Sequence, residues 1–261
     1  MKQSITSLGA FGLLGSFVFA GSEIAAPAPA ADGFAQARRP ISNPTLFDLA
    51  LPTTNLHPIF VYHSLPDHVS STLGDLPVGG DVEVYALQFE FALNERLSIV
   101  ASKDGYVDVN PDSPPLSEES GFANLGAGLK YAFILDPVAQ TALSGTMSLE
   151  LPTGNSDVFQ GEGDGAVNLM VSGLKLVDNW QFAGGLGFQI PFSDEQSTEG
   201  CLSAHVSYEL CKYFIPLVEV NWFHVLDSGN GTGNYPSQVG GAVPAVLTFE
   251  GGDFFNLGAS H

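Results

Sequence analysis

From about residue 56 to residue 226, apolar and polar positions alternate with a period of two. In residues 83–93, Tyr85, Leu87, Phe89, Phe91 and Leu93 fall on one face, and Val84, Ala86, Gln88, Glu90 and Ala92 on the other. Residues 123–133 repeat this, with Leu125, Ala127, Leu129, Tyr131 and Phe133 opposite Asn124, Gly126, Gly128 and Lys130. Further runs set Leu143, Met147, Leu149 and Leu151 against Ser144, Thr146, Ser148 and Glu150, and Val167, Leu169 and Val171 against Asn168, Met170 and Ser172. The last two set Trp180, Phe182, Leu186, Phe188 and Ile190 against Gln181, Gly185, Gly187 and Gln189, and Leu202, Ala204, Val206, Tyr208 and Leu210 against Ser203, His205, Ser207 and Glu209. Period-two alternation is the mark of a strand with one apolar face. These runs approach the 9–11 residues of a tilted membrane-crossing strand, whereas a soluble strand averages about 5–6.

The connections alternate in length. Short turns fall at Asn94-Glu95, at 135–137, at Asp178-Asn179 and at Cys211-Lys212; long polar stretches fall at 66–81, 105–121, 152–165, 192–200 and from 227 onward. That rhythm matches the short turns and long outer loops of outer-membrane barrels. The expected fold is all-β: an antiparallel up-and-down transmembrane β-barrel with nine strands visible, the first near 58–65 and the last near 214–226. Residues 243–250 are a candidate tenth strand weakened by Pro244. A nine-strand sheet would leave exposed edges, so the barrel is expected to be incomplete at its C-terminus: either the sequence is truncated, or closure needs strands not present in it.

Alternation alone does not say whether the apolar row faces a soluble core or lipid. The polar row decides: it is mostly Gly, Ser, Asn, Gln and Ala, with few charges. Water tolerates charge freely on an outer face, whereas this mixture suits a crowded, hydrated interior. Aromatic residues gather near both strand ends, as bilayer interfaces favour. A lipocalin-like or sandwich protein with these rings as core is the rival reading.

Residues 1–20 read as a signal peptide, with Lys2, an apolar run from Ile5 and a small-residue site at Ala20-Gly21. Residues 21–55 form an Ala- and Pro-rich lead-in, followed by the barrel at 56–261. The lead-in around 38–51 has the option of folding into the lumen. Loss of Lys2 leaves seven basic against 28 acidic residues, a formal charge of −21, which argues against nucleic-acid partners. Cys201 and Cys211, if on one strand, lie about 33 Å apart and stay unpaired.

The segments Asn124-Leu-Gly-Ala-Gly-Leu-Lys-Tyr-Ala-Phe133, Leu149-Glu-Leu-Pro-Thr-Gly-Asn155 and Gly184-Gly-Leu-Gly-Phe-Gln-Ile-Pro-Phe192 carry a resemblance. Over residues 55 to 230 the chain resembles outer-membrane transporter-like barrels related to the MetA-pathway phenol-degradation family. The resemblance implies an outer-membrane location and passage of small aromatic or apolar molecules, and supplies no functional residues.

Site chemistry is sparse. Ser203, His205 and Glu209 share a polar row, but neighbours two apart are about 7 Å from each other, too far for a direct Ser–His hydrogen bond without a partner from an adjacent strand. No enzyme is expected. His57, His63 and His68 lack metal-site spacing, and the Gly161–Gly165 stretch lacks a full calcium ligand series. No metal or cofactor is expected. The candidate functional residues are the lumen-facing charges Glu90, Arg96, Lys130, Glu150, Glu209 and Glu219, which would give an open pore a modest preference for cations. The expected partners are the outer-membrane lipid bilayer and small solutes. A non-conducting, surface-binding barrel working through its acidic outer loops is the alternative.

Overall fold

The computed structural model describes residues 17–20, 33–65, 67–71, 74–77, 79–112, 117–158, 160–161, 163–193 and 196–227. The candidate tenth strand at 243–250, most of the signal-peptide reading and residues 21–32 lie outside them. The strands are β1 Phe17–Ala20, β2 Asn55–Ser64, β3 His68–Ser71, β4 Gly74–Pro77 and β5 Asp81–Ala92. Next come β6 Leu97–Lys103, β7 Tyr106–Asn110, β8 Glu119–Phe122, β9 Leu125–Asp136 and β10 Thr141–Leu151. A short 3-10 turn at Ser156–Val158 precedes β11 Ala166–Val177, β12 Trp180–Pro191, β13 Thr198–Tyr208 and β14 Leu217–Asp227.

The fold is all-β and antiparallel. Its main sheet runs β1-β2-β5-β6-β9-β10-β11-β12-β13-β14 and curls into a half-barrel. Each long strand pairs with its neighbours in sequence, as an up-and-down meander requires. Among the described residues no ladder joins β14 back to β2. The edge of β2 is covered by β1, with Phe17 opposite Tyr62 and Ala20 opposite Ile59.

The six alternating runs fall on β5 and on β9 to β13, and β2, β6 and β14 complete the nine expected long strands, the first starting three residues earlier and the last three residues later than expected. Two long connections, 66–81 and 105–121, are not plain loops: the first holds the β3–β4 hairpin, and the second holds β7 and β8. The turn expected at Cys211-Lys212 spans 209–216, because β13 stops at Tyr208 and β14 starts after Pro216, with one bridge between Cys211 and Phe214. Both cysteines are free. A bulge between β9 and β10 skips Phe133 in the register, which ends the clean alternation there.

The apolar row faces outward and the polar row inward. Phe89 is 49% exposed, Leu129 48% and Leu202 53%, whereas Glu90, Lys130, Gln181 and His205 are at most 3% exposed. This inverts the order of a water-soluble sheet, where burial of each large apolar side chain contributes about 1.5–3 kcal/mol. Rings cluster on the outer face, with Trp180 and Tyr208 centroids 4.7 Å apart and Tyr131 and Phe133 5.4 Å apart.

Candidate functional site: the inner face and the segment it holds

The inner row is buried by the lead-in, which lies in the hollow of the sheet. At the short-turn end, Phe34, Leu49, Ala50 and Leu51 pack on Ala142, Leu174 and Leu176. Farther in, Leu46 and Phe47 are almost wholly buried. They settle where β12 lacks side chains. A Cβ on Gly185 would stand 2.6 Å from the Phe47 ring, and one on Gly187 would stand 2.9 Å from the Leu46 carbonyl oxygen. The two glycines therefore open a seat for the lead-in rather than merely thinning the wall.

Charge pairing reinforces this docking. Lys130 Nζ lies 2.9 Å from Glu90 and 2.6 Å from Asp48; Arg39 lies 2.6 Å from Asp48 and 3.3 Å from Glu90. Two charges belong to the wall and two to the lead-in, and the four sum to zero. Ser98 Oγ donates to Glu90 Oε1 at 2.5 Å, and Thr53 donates to the same carboxylate through N–H and Oγ1. Burying charges is tolerable only with such pairing and hydrogen bonding. Burial alone would push the Asp48 carboxyl up, but the Arg39 and Lys130 charges outweigh it and hold it down at about 2. A depressed carboxyl contributes stability above its ordinary range and loses it as pH falls through the folded value. The lead-in is expected to stay docked from neutral pH down to about 4 and to undock between 4 and 2, as read by amide hydrogen exchange in residues 38–51 corrected for the intrinsic rate at each pH.

A second network lies toward the long-loop end. Lys103 Nζ donates to Glu150 at 2.5 Å, Asn124 Nδ2 donates to it at 2.8 Å, and Gln189 reaches its other oxygen at 3.4 Å. Asn124 Oδ1 accepts the N–H groups of Gly154 and Gly161, so the 152–165 connection is drawn in over this end. A third network joins β13, β14 and the lead-in. His205 Nδ1 meets Glu219 at 2.6 Å and Nε2 meets Ser207 at 2.9 Å, while Glu219 accepts the N–H groups of Ile41 and Ser42. Arg38 closes the short-turn end on Glu209 at 3.2 Å.

The structure thus brings Glu90 and Lys130 together and gives Glu150, Glu209 and Glu219 each a separate partner set. Arg96 stands apart. It is exposed in the turn after β5, where its guanidinium donates to the Ala132 and Phe133 carbonyls. Sequence reasoning missed Arg39, Asp48 and Lys103. Arg39 and Asp48 lie outside any alternating run; Lys103 sits at a strand end where the register shifts. It also missed Ser207, on the same row as His205.

The wall is split at one place. β5 pairs with β6 through Phe89 to Ala92 and with β7 through Asp81 to Tyr85, leaving Ala86, Leu87 and Gln88 without a ladder partner on that side. Asp104 accepts the Leu87 N–H at 2.8 Å. Above the split lies a cavity of about 920 Å³, lined mainly by the outer-row residues Pro58, Phe60, Tyr85, Leu87, Tyr106 and Phe122. Behind it the Gln88 amide donates to the carbonyls of Ser102 and of Pro44 in the lead-in.

No family model matches the chain, and no curated protein does. Among solved structures, the crystal structure of an outer membrane channel from Pseudomonas putida F1 is similar at 17% identity and a TM-score of 0.47, over 66% of this chain and 74% of that one.

Proposed function

We propose that the chain is an outer-membrane β-barrel that passively admits small apolar solutes, with the lead-in as a plug in its lumen. The inside-out burial of the sheet carries this reading. Its exposed Phe and Leu rows suit hydrocarbon, and its polar row suits an enclosed aqueous space. Ser144 Oγ, Asn168 Oδ1 and Ser172 Oγ are buried on the inner side without a protein hydrogen-bond partner among the described residues, which fits hydration there. The plug obstructs the axial route, and the apolar cavity at the wall split offers a lateral one. Export would remove residues 1–20 and with them β1, leaving the edge of β2 uncovered.

Two measurements test this. In vesicles, uptake of a small aromatic fluorophore should exceed protein-free leakage, and Leu87→Trp, which fills the cavity from the outer row, should cut it about ten-fold. Uptake equal to that of empty vesicles would refute the reading and favour a non-conducting surface barrel. In planar bilayers, any current should be modestly cation-selective, because Glu209 and Glu219 lose Arg38 and the Ile41 and Ser42 N–H groups once the plug moves, whereas Glu150 keeps its wall partner Lys103.

A further inference from the structure

The third network contains chemistry that a passive channel does not use. His205 and Ser207 are two apart on β13, and Glu219 is the cross-strand partner of His205 on β14. His205 Nδ1 stands 2.6 Å from Glu219 Oε1, and Nε2 stands 2.9 Å from Ser207 Oγ. All three are buried: His205 is 1% exposed, Ser207 2% and the Glu219 side chain 3%. The proton positions follow from the partners. Glu219 accepts the Ile41 N–H at 3.1 Å and the Ser42 N–H at 2.7 Å, so it serves as an acceptor, and His205 Nδ1 must donate to it. In the neutral imidazole, Nε2 then holds the lone pair and accepts from the Ser207 hydroxyl. Arg38 Nε–H completes the pattern by donating to Ser207 Oγ at 3.1 Å.

We propose that Ser207, His205 and Glu219 are the nucleophile, base and orienting carboxylate of a hydrolase site for carboxylic esters with an apolar acyl group. The connectivity is that of a nucleophilic triad, which is recognised by geometry and roles rather than by sequence order. Gln181 faces Ser207 across the β12–β13 ladder. Its Nε2 donates to the Arg38 carbonyl oxygen at 2.6 Å, so this amide donor is engaged by the lead-in until the Arg38 backbone moves away. That donor is the candidate for stabilising an oxyanion. The acyl preference follows from the flank: Ala183, opposite His205, packs against the cluster containing Leu174 and Leu176.

In the reaction, Ser207 Oγ attacks the ester carbonyl carbon and its proton passes to His205 Nε2. The bond to the alcohol oxygen breaks, and His205 returns the proton to that oxygen. Water then gives a proton to Nε2 as its oxygen attacks the acyl-serine; the carboxylic acid leaves and Ser207 regains its proton. Arg38 is the cover. Its guanidinium lies over Ser207 and is tethered to Glu209 at 3.2 Å and to the Asn179 carbonyl at 3.4 Å, at the short-turn end.

The test is covalent labelling of the full chain in detergent with a fluorophosphonate, read by peptide mass, alongside hydrolysis of p-nitrophenyl butyrate. The wild type should label slowly at Ser207, and Arg38→Ala should label about ten-fold faster. Ser207→Ala and His205→Ala should abolish labelling and turnover, and Glu219→Gln should slow both by on the order of a hundred-fold or more. If Arg38→Ala does not fold, Glu209→Gln loosens the same guanidinium; if neither folds, the wild type decides alone. A Ser207 adduct supports the site. Its absence from every folded form, or labelling that persists in Ser207→Ala, overturns it. The site stands or falls independently of solute uptake.

Discussion

Lys130→Met is expected to release the plug. Lys130 is wholly buried between Glu90 and Asp48, one carboxylate from the wall and one from the lead-in. Methionine keeps the side-chain bulk but leaves two carboxylates close together with only Arg39 to balance them. Removing one partner from a buried ion network costs about 3–5 kcal/mol, because the remaining charge stays desolvated and unpaired. The sheet is held by ladders that this change does not touch, whereas the lead-in is held only by docking. Strain should therefore be relieved by undocking rather than by unfolding. At about 1.4 kcal/mol per factor of ten, the undocked population should rise by roughly two to three and a half orders of magnitude. Trypsin provides the readout, since Arg38 and Arg39 are both tied into ion pairs in the docked state. Cleavage after Arg38 should be slow in the wild type and fast in Lys130→Met, with the barrel fragment still shifting on heating; the Arg39–Pro40 bond resists trypsin in both. Pairing the change with Glu90→Gln removes one of the two stranded charges and should restore much of the protection. Unchanged cleavage in the single variant would mean that the charge cluster does not hold the lead-in.

This dependence on distant partners also explains what could be read from sequence. The wall was legible because its rule is local: Leu125, Ala127, Leu129 and Tyr131 must share a face if the backbone is extended, whatever they touch. The cysteines are free, but not because one extended run holds them apart: Cys201 lies on β13 and Cys211 in the turn beyond it. The lead-in obeys no period. Arg39 finds Glu90 and Ser42 finds Glu219, separations of 51 and 177 residues that no local pattern encodes. Gly185 and Gly187 read as the small residues of a lumen row, and only the seated Phe47 and Leu46 show why a side chain is excluded there. The wall split was hidden for a different reason. Tyr106 to Asn110 alternates over only five residues within an acidic stretch, too short a run to separate from loop. A spacing of two on one strand sets backbones about 7 Å apart, which argues against a direct Ser–His contact. The imidazole is long enough to span that gap, and His205 reaches Ser207 on the same row.

The outer face supports the sharpest test of the membrane reading. Leu129 lies mid-strand on β9, opposite Ile99 on one side and Met147 on the other, and all three are exposed. If hydrocarbon covers this row, Leu129→Arg places a charge near its centre at a cost of about 2–4 kcal/mol. Val138, 96% exposed in the turn between β9 and β10, provides the control, because the same charge at the interface should cost about 0–1 kcal/mol. Folding into lipid vesicles, followed by urea titration, should therefore show a large loss for Leu129→Arg and almost none for Val138→Arg. A water-facing row predicts the reverse order of concern: replacing an exposed leucine with arginine on a soluble sheet would be neutral or would improve solubility. The two solvents impose opposite consequences on one substitution. Equal stability of the two variants in lipid would remove the physical basis for placing this sheet in a membrane.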